Sequence, residues 1–392
     1  MSTRLAAAAF FLGISALAVA ADVPATFPAP KDLPAIKEMP DPLTFRNGTK
    51  VTTPEQWKQR REEMKAILEE YEYGHMPPAP GNVKGRETAS KVLPDGKTNY
   101  RTIHLTFGPE ENLGFDLGIF SPVPTDAVKG PFPSIINLTF SAGENGARQY
   151  TAALSRGYAV VAIPYAQLGA DSKDYRKTAF FPAYPECDWN DFSAWAWGIS
   201  RAVDFLVTDP ATDKEKIAAM GVSRTGQAVL LAGAFDERIT LVAPVGGGSA
   251  LRFSGKGRGG GQGIDEVVDQ NTYWFGPKFE QFKGNTEKLP CDQHWLLALA
   301  APRPFILCNA LSDQYGTANA ATRTYLAAKP VYQFLGVSDN LGLNFRPGQH
   351  GMNATDWTAI LDFADLHFKN IQPNPPRRFD VIPTPGQLAP RQ

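Results

Sequence analysis

The chain contains 392 residues, of which 43% are hydrophobic and 20% are charged. This length and composition are typical of one large domain, or of one domain with a small appendage, and allow a sizeable buried core. The formal net charge of -1 argues against a nucleic-acid-binding protein, because such proteins usually carry an excess of basic residues.

The first residues have the pattern of a secretory signal peptide, which we predict to span residues 1–20. Arg4 precedes an Ala-rich apolar stretch, and Ala18 and Ala20 form a small-x-small cleavage site. A membrane anchor is the alternative, but this apolar run is short for a bilayer span, and no later segment is apolar for long enough. The sequence therefore predicts a secreted or periplasmic protein that has no association with a membrane once the signal peptide is removed.

The remaining chain divides into a proline-rich segment, one large domain and a proline-rich tail. Residues 21–52 are predicted to be extended over the surface of the body, and residues 371–392 to form the tail. Between them, the domain at 53–370 begins with a helix that Thr53 caps and that ends near Gly74. Paired strands are predicted to follow at 100–107 and 115–120.

From residue 133 onward, short apolar runs alternate with helical patterns. The predicted strands are 133–140, 159–163, 217–222, 239–244, 304–309 and 330–334, and the predicted helices are 149–156, 195–206, 227–234 and 356–368. This alternation predicts an α/β fold with a mostly parallel central sheet and helices on both faces.

One predicted strand leads directly into Gly-Val-Ser at 221–223, and a helix is predicted to follow at once. This placement is typical of the nucleophile elbow of the α/β-hydrolase fold, in which a tight turn lifts the serine hydroxyl, here Ser223, above the sheet. The backbone N–H of Arg224 would then form half of an oxyanion hole. Glycine usually stands two residues after the serine, where this chain has Thr225, with Gly226 one further on. An ordinary capped helix start is the alternative interpretation.

A serine needs a base, oriented by an acid, before it acts as a nucleophile. In this fold class the three residues follow the chain order Ser, Asp or Glu, His. Asp313 lies in the loop after the predicted strand 304–309, and His350 lies in a glycine-flanked loop before the last helix. The sequence therefore predicts Ser223, His350 and Asp313 as catalytic residues, although a loop aspartate often only stabilises a turn.

The other four histidines are poorer candidates for the base. His75 and His104 precede Ser223 in the chain, His294 stands at an apparent helix start, and His367 lies on the amphipathic last helix. They therefore fit the role of the base less well than His350, and His294 is predicted to be structural.

Neither a metal nor a cofactor is predicted. Cysteine and histidine do not cluster at the spacing of zinc ligands. The glycine-rich stretch 255–260 matches a dinucleotide fingerprint in spacing, but it lacks the compact strand–helix context. Of the three cysteines, Cys187 and Cys291 are candidates for a disulfide, and Cys308 lies in an apolar run.

Several longer motifs surround the predicted nucleophile. They are Gly-Val-Ser-Arg-Thr-Gly at 221–226, Trp-Ala-Trp-Gly-Ile-Ser-Arg-Ala at 195–202, Tyr-Trp-Phe at 273–275, Leu-Pro-Cys-Asp-Gln-His at 289–294 and Ala-Pro-Arg-Pro at 301–304. Together these motifs resemble segments of the glucuronoyl esterases of carbohydrate esterase family 15. The resemblance extends from about Pro40 to about Phe368.

This resemblance implies an α/β-hydrolase fold and the hydrolysis of esters between a 4-O-methyl-glucuronic acid on xylan and an alcohol of lignin. Glucuronoxylan or a lignin–carbohydrate ester is then the expected substrate. The resemblance implies Ser223 as nucleophile and His350 as base. It also implies that the side chain of Arg224 supports the oxyanion hole.

Three positions depart from the family pattern. Many members carry the acid as glutamate shortly after the strand that follows the elbow helix, where this chain has Pro-Val-Gly-Gly-Gly at 244–248, so that Asp313 must supply it. Gln227 stands where many members have a lysine that contacts the sugar, and Tyr315 stands where a tryptophan is usual. The predicted substrate contacts are Gln227, Gln262, Trp274 and Tyr315.

Two other functions are open at this point. An esterase that removes acetyl or other acyl groups from polysaccharide needs no cationic sugar pocket, and the uncharged Gln227 favours it. A secreted binding protein that keeps the hydrolase fold without turnover is the other, although no member of the predicted catalytic set is clearly missing.

Overall fold

The computed structural model describes residues 26–126 and 128–388 of the chain. The predicted signal peptide, residues 1–20, and the end of the predicted tail, residues 389–392, lie outside the described residues. Within these two ranges, no helix combines the length and the apolar character that crossing a bilayer requires.

A single sheet of nine strands forms the centre of the described chain. Its strands are β1 (Lys84–Val92), β2 (Thr98–Phe107), β3 (Leu113–Pro122), β4 (Phe132–Thr139), β5 (Ala159–Pro164), β6 (Thr212–Val222), β7 (Leu241–Val245), β8 (Phe305–Ala310) and β9 (Leu341–Arg346). Their spatial order is β1-β2-β3-β5-β4-β6-β7-β8-β9. The first three strands pair antiparallel, whereas β4 to β9 run parallel to one another, so that the carboxyl ends of β6, β7 and β8 meet at one edge.

Helices cover both faces of this sheet. They are α1 (Pro54–Leu68), α2 (Thr151–Ser155), α3 (Asp191–Leu206), α4 (Arg224–Phe235), α5 (Ile264–Asn271), α6 (His294–Ala300), α7 (Ala318–Phe334), α8 (Ala354–Lys369) and α9 (Pro385–Leu388). On one face α4 packs between α3 and α6, with α7 beyond α6, and on the other α2 packs against α8. The predicted mostly parallel sheet with helices on both faces is therefore confirmed.

The side chains of β6 show why this sheet is buried on both faces. Ile217 and Ala219 pack into the core that includes α3 and α4, whereas Ala218 and Met220 pack into the second core with α2 and α8. All four are at most 1% exposed. Full burial of a large aliphatic side chain stabilises the folded protein by about 1.5–3 kcal/mol. Packing on both faces therefore fixes the position of β6, which carries the predicted nucleophile at its end.

The predicted strand at 330–334 is wrong, because these residues form the end of α7, with Pro330 inside the helix. Tyr325, Ala328 and Tyr332 are buried and follow one another at helical spacing. The apolar run is therefore one face of a helix. The strand in this part of the chain is β9, which the sequence does not predict.

The edge strand β1 is also missing from the sequence-based prediction. Every residue of β1 is exposed, so that the strand shows no alternation of apolar and polar positions. It pairs with β2 from Lys84 to Val92, and its polar surface discourages pairing with a further chain.

The proline-rich N-terminal segment is tied to the helices by side chains that bond its carbonyl groups. The Tyr71 hydroxyl donates to Pro28 O at 2.9 Å, and the Trp295 indole donates to Pro40 O at 2.8 Å. The guanidinium of Arg60 donates to Pro42 O at 3.2 Å. These bonds satisfy backbone acceptors of a segment that forms little regular structure.

The cysteines form no disulfide. Cys187, Cys291 and Cys308 are all free thiols, and the second and third are buried. The candidate pairing of Cys187 with Cys291 is therefore not formed.

Candidate active site

Ser223 occupies a strained turn between β6 and α4. Its backbone has φ 60° and ψ -125°, a conformation that residues other than glycine rarely adopt. Its N–H donates to Val245 O at 2.8 Å, and its carbonyl accepts from Gln227 N at 3.0 Å. Strain of this kind persists only where the surroundings over-determine it, and it is concentrated at functional sites.

The residues around the serine show how the turn forms without glycine at position 225. A Cβ atom on Gly221 would lie 2.5 Å from Thr225 O, and one on Gly226 would lie 3.0 Å from Gly221 O. The hydroxyl of Thr225 accepts from Val222 N and donates to Val222 O, both at 2.8 Å. Glycines therefore stand where the strand and the helix approach most closely, and Thr225 ties the turn with its side chain.

Asp313 and His350 are in direct contact. Asp313 lies in the loop after β8, and its Oδ2 is 2.7 Å from Nδ1 of His350, which lies in the loop between β9 and α8. The other oxygen, Oδ1, accepts from the backbone N–H groups of Tyr315 at 2.8 Å and Gly316 at 3.0 Å. Because an ionised carboxylate only accepts hydrogen bonds, the pair keeps the imidazole proton on Nδ1 and leaves Nε2 free to take a proton.

The stretch after β7, where the family pattern has a glutamate, contains Gly246, which lies next to this pair. A Cβ atom on Gly246 would lie 3.1 Å from His350 Cε1 and 3.4 Å from Asp313 Oδ2. Gly246 also has φ 63°, which favours glycine. A larger residue here would press on the Asp313–His350 pair, in agreement with the absence of a carboxylate from residues 244–248.

Ser223 and His350 line one cleft, which is open to solvent. Asp313 lies behind the imidazole, with its side chain 1% exposed. The other five predicted site residues share the lining with Ser223 and His350. They are Arg224, Gln227, Gln262, Trp274 and Tyr315.

Arg224 has a partner that the sequence interpretation missed. Its guanidinium forms an ion pair with Oδ2 of Asp171 and lies 5.4 Å from the centre of the Trp274 ring. The other oxygen of Asp171 accepts from the indole N–H of Trp274 at 2.7 Å. Asp171 lies in the irregular segment between β5 and α3, where no periodic pattern or motif marks it.

The chain matches known proteins over most of its length. A family profile described as "Glucuronyl esterase, fungi" matches residues 110–336. The chain is 30% identical to the 4-O-methyl-glucuronoyl methylesterase of Schizophyllum commune, over 92% of this chain and 88% of that protein. The glucuronoyl esterase of carbohydrate esterase family 15 from Caldicellulosiruptor kristjansonii has a similar structure, with a TM-score of 0.74 and 32% identity over 90% of this chain and 95% of that one.

The chain belongs to the glucuronoyl esterase family. It is a carboxylic ester hydrolase with the α/β-hydrolase fold, and the resemblance drawn from the motifs is confirmed.

In this esterase, both the nitrogen and the oxygen of the Gln227 side-chain amide form hydrogen bonds with other protein groups. Its nitrogen donates to the Tyr73 hydroxyl at 2.8 Å and to Oε1 of Gln293, and its oxygen accepts from Gly248 N at 3.1 Å. Gln293 in turn donates to the carboxyl group of Glu72. Gln227 therefore lines the cleft, but its polar atoms are held by a buried network that sequence spacing did not indicate.

The remaining predicted contacts, Gln262 and Tyr315, also line the cleft. The half-exposed Tyr315 ring lies edge-on to the His350 ring, with centroids 4.9 Å apart. The backbone N–H of Gln262 donates to Tyr315 O at 2.8 Å, and its side chain donates to Gln270 at 3.1 Å. These contacts place an aromatic ring beside the imidazole and tie Gln262 to the backbone of that aromatic residue.

The four other histidines lie outside the cleft lining. His104 Nδ1 pairs with Asp116 at 2.8 Å, and His75 Nδ1 pairs with Asp188 at 3.0 Å. His294 is fully buried, with Nε2 2.6 Å from Pro40 O, and burial lowers its pKa to about 4. A buried, neutral imidazole of this kind has a structural role.

The buried carboxyl group of Glu72 should make the stability of the esterase depend on pH. Burial, followed by the charge of Asp292, raises the pKa of Glu72 to about 8. The folded protein therefore keeps a proton that the unfolded chain releases near pH 4.5, so that the stabilisation is complete below this pH and is lost as the pH rises through 8. We expect the melting temperature of Glu72→Gln to fall less than that of the wild type over this pH range, as measured by circular dichroism.

A control for this prediction is Glu62→Gln, which removes an exposed carboxylate that pairs with Lys65 on α1. Its melting temperature should follow the pH dependence of the wild type. If Glu72→Gln followed the wild-type curve as well, the proton bound at Glu72 would not be the cause of the pH dependence.

Proposed function

We propose that this esterase hydrolyses 4-O-methyl-glucuronoyl esters, of the kind that link glucuronoxylan to lignin alcohols, through an acyl-enzyme intermediate on Ser223. The observation that carries the proposal is the strained turn of Ser223 in one cleft with an imidazole that a buried carboxylate orients. The name of the Schizophyllum commune relative, a 4-O-methyl-glucuronoyl methylesterase, supports this substrate class.

In the proposed reaction, Ser223 Oγ attacks the ester carbonyl carbon while His350 Nε2 takes the hydroxyl proton. Asp313 stabilises the imidazolium that forms and keeps its proton on Nδ1. The tetrahedral intermediate then loses the alcohol, which receives the proton from His350. Water, activated by the same imidazole, releases the glucuronic acid and restores the serine.

The oxyanion of each tetrahedral intermediate needs donors at the helix end. The backbone N–H of Arg224 stands at the N-terminus of α4, and its guanidinium lies in the cleft lining. A cationic donor and a helix N-terminus both stabilise negative charge that develops next to Ser223. We assign the sugar side to Gln227, Gln262, Trp274 and Tyr315.

We propose the following organisation for the whole protein. Residues 1–20 direct export and are removed, and residues 53–370 form the catalytic domain. The proline-rich segments 21–52 and 371–392 flank that domain. The mature enzyme then meets its polysaccharide substrate outside the cytoplasm.

A panel of three substrates tests the proposed function: benzyl glucuronate, methyl glucuronate and acetylated xylan. We expect hydrolysis of both glucuronate esters, with kcat/KM for benzyl glucuronate at least about tenfold above that for acetyl release, since only the first two carry the acyl group that the cleft is proposed to bind. Release of acetate without turnover of either glucuronate ester would favour a polysaccharide acetyl esterase, an activity that the uncharged Gln227 would suit. Binding without turnover of any of the three would favour a binding protein.

A further inference from the structure

We propose that Asp171 is a positioning residue, which holds the Arg224 guanidinium beside Ser223 and joins it to the indole of Trp274. This role deepens the proposed function and rests on it, because it assigns to Asp171 the orientation of the oxyanion donor. Asp171 is not within the cleft lining and does not touch the reacting atoms.

Two separate contacts of one carboxylate carry the proposal. Oδ2 of Asp171 forms the ion pair with Nη1 of Arg224, and Oδ1 accepts from Nε1 of Trp274 at 2.7 Å. The guanidinium also lies over the Trp274 ring. Each of the three side chains thus contacts the other two. The Asp171 carboxylate holds both the Arg224 guanidinium and the Trp274 ring over which the guanidinium lies.

Burial makes this carboxylate an effective anchor. The side chain of Asp171 is 10% exposed, whereas that of Arg224 is 39% exposed and projects toward the cleft. An arginine side chain at this exposure has several rotatable bonds and loses its orientation easily without a partner. Because a guanidinium has five N–H donors and Asp171 uses the Nη1 end, the other donors are free to face an oxyanion.

The segment that carries Asp171 is itself held in place. The residue has φ 53°, a left-handed conformation that an aspartate tolerates better than most residues. A Cβ atom on the nearby Gly169 would lie 2.4 Å from Oδ1 of Asp191, so that this segment rests directly on the first residue of α3. Burial, followed by the charge of Asp171, raises the pKa of Asp191 to about 8.

The substitution Asp171→Asn keeps the contact with Trp274 and breaks the contact with Arg224. An asparagine oxygen still accepts from the Trp274 indole, but its NH2 group then faces the guanidinium, and both are donors. We expect kcat to fall about tenfold, less than the loss of an oxyanion donor itself, with little change in KM. The control Asp174→Asn removes an exposed carboxylate that pairs with Lys177 in the same segment, and it should leave kcat unchanged.

A double-mutant cycle distinguishes positioning from a general structural role. In the Arg224→Ala background, Asp171→Asn should have no further effect on kcat, because the group that it orients is absent. Equal losses of kcat in both backgrounds, or no loss in either, would overturn the proposal. If Asp171→Asn does not fold, the smaller Asp171→Ser serves in the same cycle.

Two substrates keep this test independent of the proposed substrate class. Any ester passes through an oxyanion, so that the cycle is measured with 4-nitrophenyl acetate as well as with benzyl glucuronate. If the wild type turns over the acetate but not the glucuronate, the proposed substrate fails while the acetate cycle still decides the role of Asp171.

Discussion

Ser223→Ala is expected to lower ester hydrolysis by about 10⁴- to 10⁶-fold, the scale on which serine hydrolases lose activity without their nucleophile. Alanine lacks the oxygen that the acyl group is proposed to bind, so that no acyl-enzyme can form. The change removes one atom from a turn whose backbone bonds to Val245 and Gln227 do not involve that hydroxyl. The variant should therefore fold, and its melting temperature should stay close to that of the wild type.

The chain offers a matched control in Ser249, a second serine in the lining of the same cleft. Its hydroxyl is buried and has no hydrogen-bond partner among the described residues. Ser249→Ala should keep nearly all of the activity toward benzyl glucuronate. A fluorophosphonate probe should label the wild type and Ser249→Ala but not Ser223→Ala. Substantial hydrolysis by folded Ser223→Ala would exclude this serine as the nucleophile.

Asp313→Asn has the second-largest expected effect, a loss of kcat of about 10⁴-fold. The asparagine NH2 group would replace Oδ2 as the atom that faces His350 Nδ1, which lies 2.7 Å away in the wild type. Since this group donates, the imidazole proton moves to Nε2, and the nitrogen that should take the serine proton is then already protonated. Steady-state kinetics with benzyl glucuronate measure the loss.

A second Asp–His pair in the same protein is the control for that substitution. Asp116 on β3 lies 2.8 Å from Nδ1 of His104 on β2, away from the cleft lining. Asp116→Asn alters the same type of contact and should leave kcat unchanged. Near-normal turnover by Asp313→Asn would mean that another group orients His350.

The departures from the general elbow and from the family pattern have local physical explanations. Thr225 stands where the general elbow has glycine, and its hydroxyl closes the turn through Val222. Gln227 replaces the usual lysine and is bonded to Tyr73 and Gly248. Since Gln227 is uncharged, Arg224 is the cationic residue that the elbow helix contributes to the cleft lining. Its orientation by Asp171 is therefore important for any anionic intermediate.

Sequence alone determined those features that arise from neighbours in the chain. The parallel core was predictable because buried strands such as β5 and β8 are continuous apolar runs. The elbow was predictable because a strand, a glycine, a serine and a helix follow one another directly. The chain order of Ser223, Asp313 and His350 likewise needs no coordinates. The exposed β1 and the end of α7 were missed because the first has no apolar pattern and the second has an apolar run that suits either structure.

Only the tertiary structure decided which distant side chains meet. Asp171 and Arg224 are 53 residues apart, and Tyr73 and Gln227 are 154 residues apart, so that no spacing rule connects them. The sheet order brings the β5–α3 segment and the elbow to one edge, and hydrogen bonds then select among the polar groups gathered there. Contacts of this kind depend on the packing of the whole domain, whereas periodicity and motifs report only the local chain.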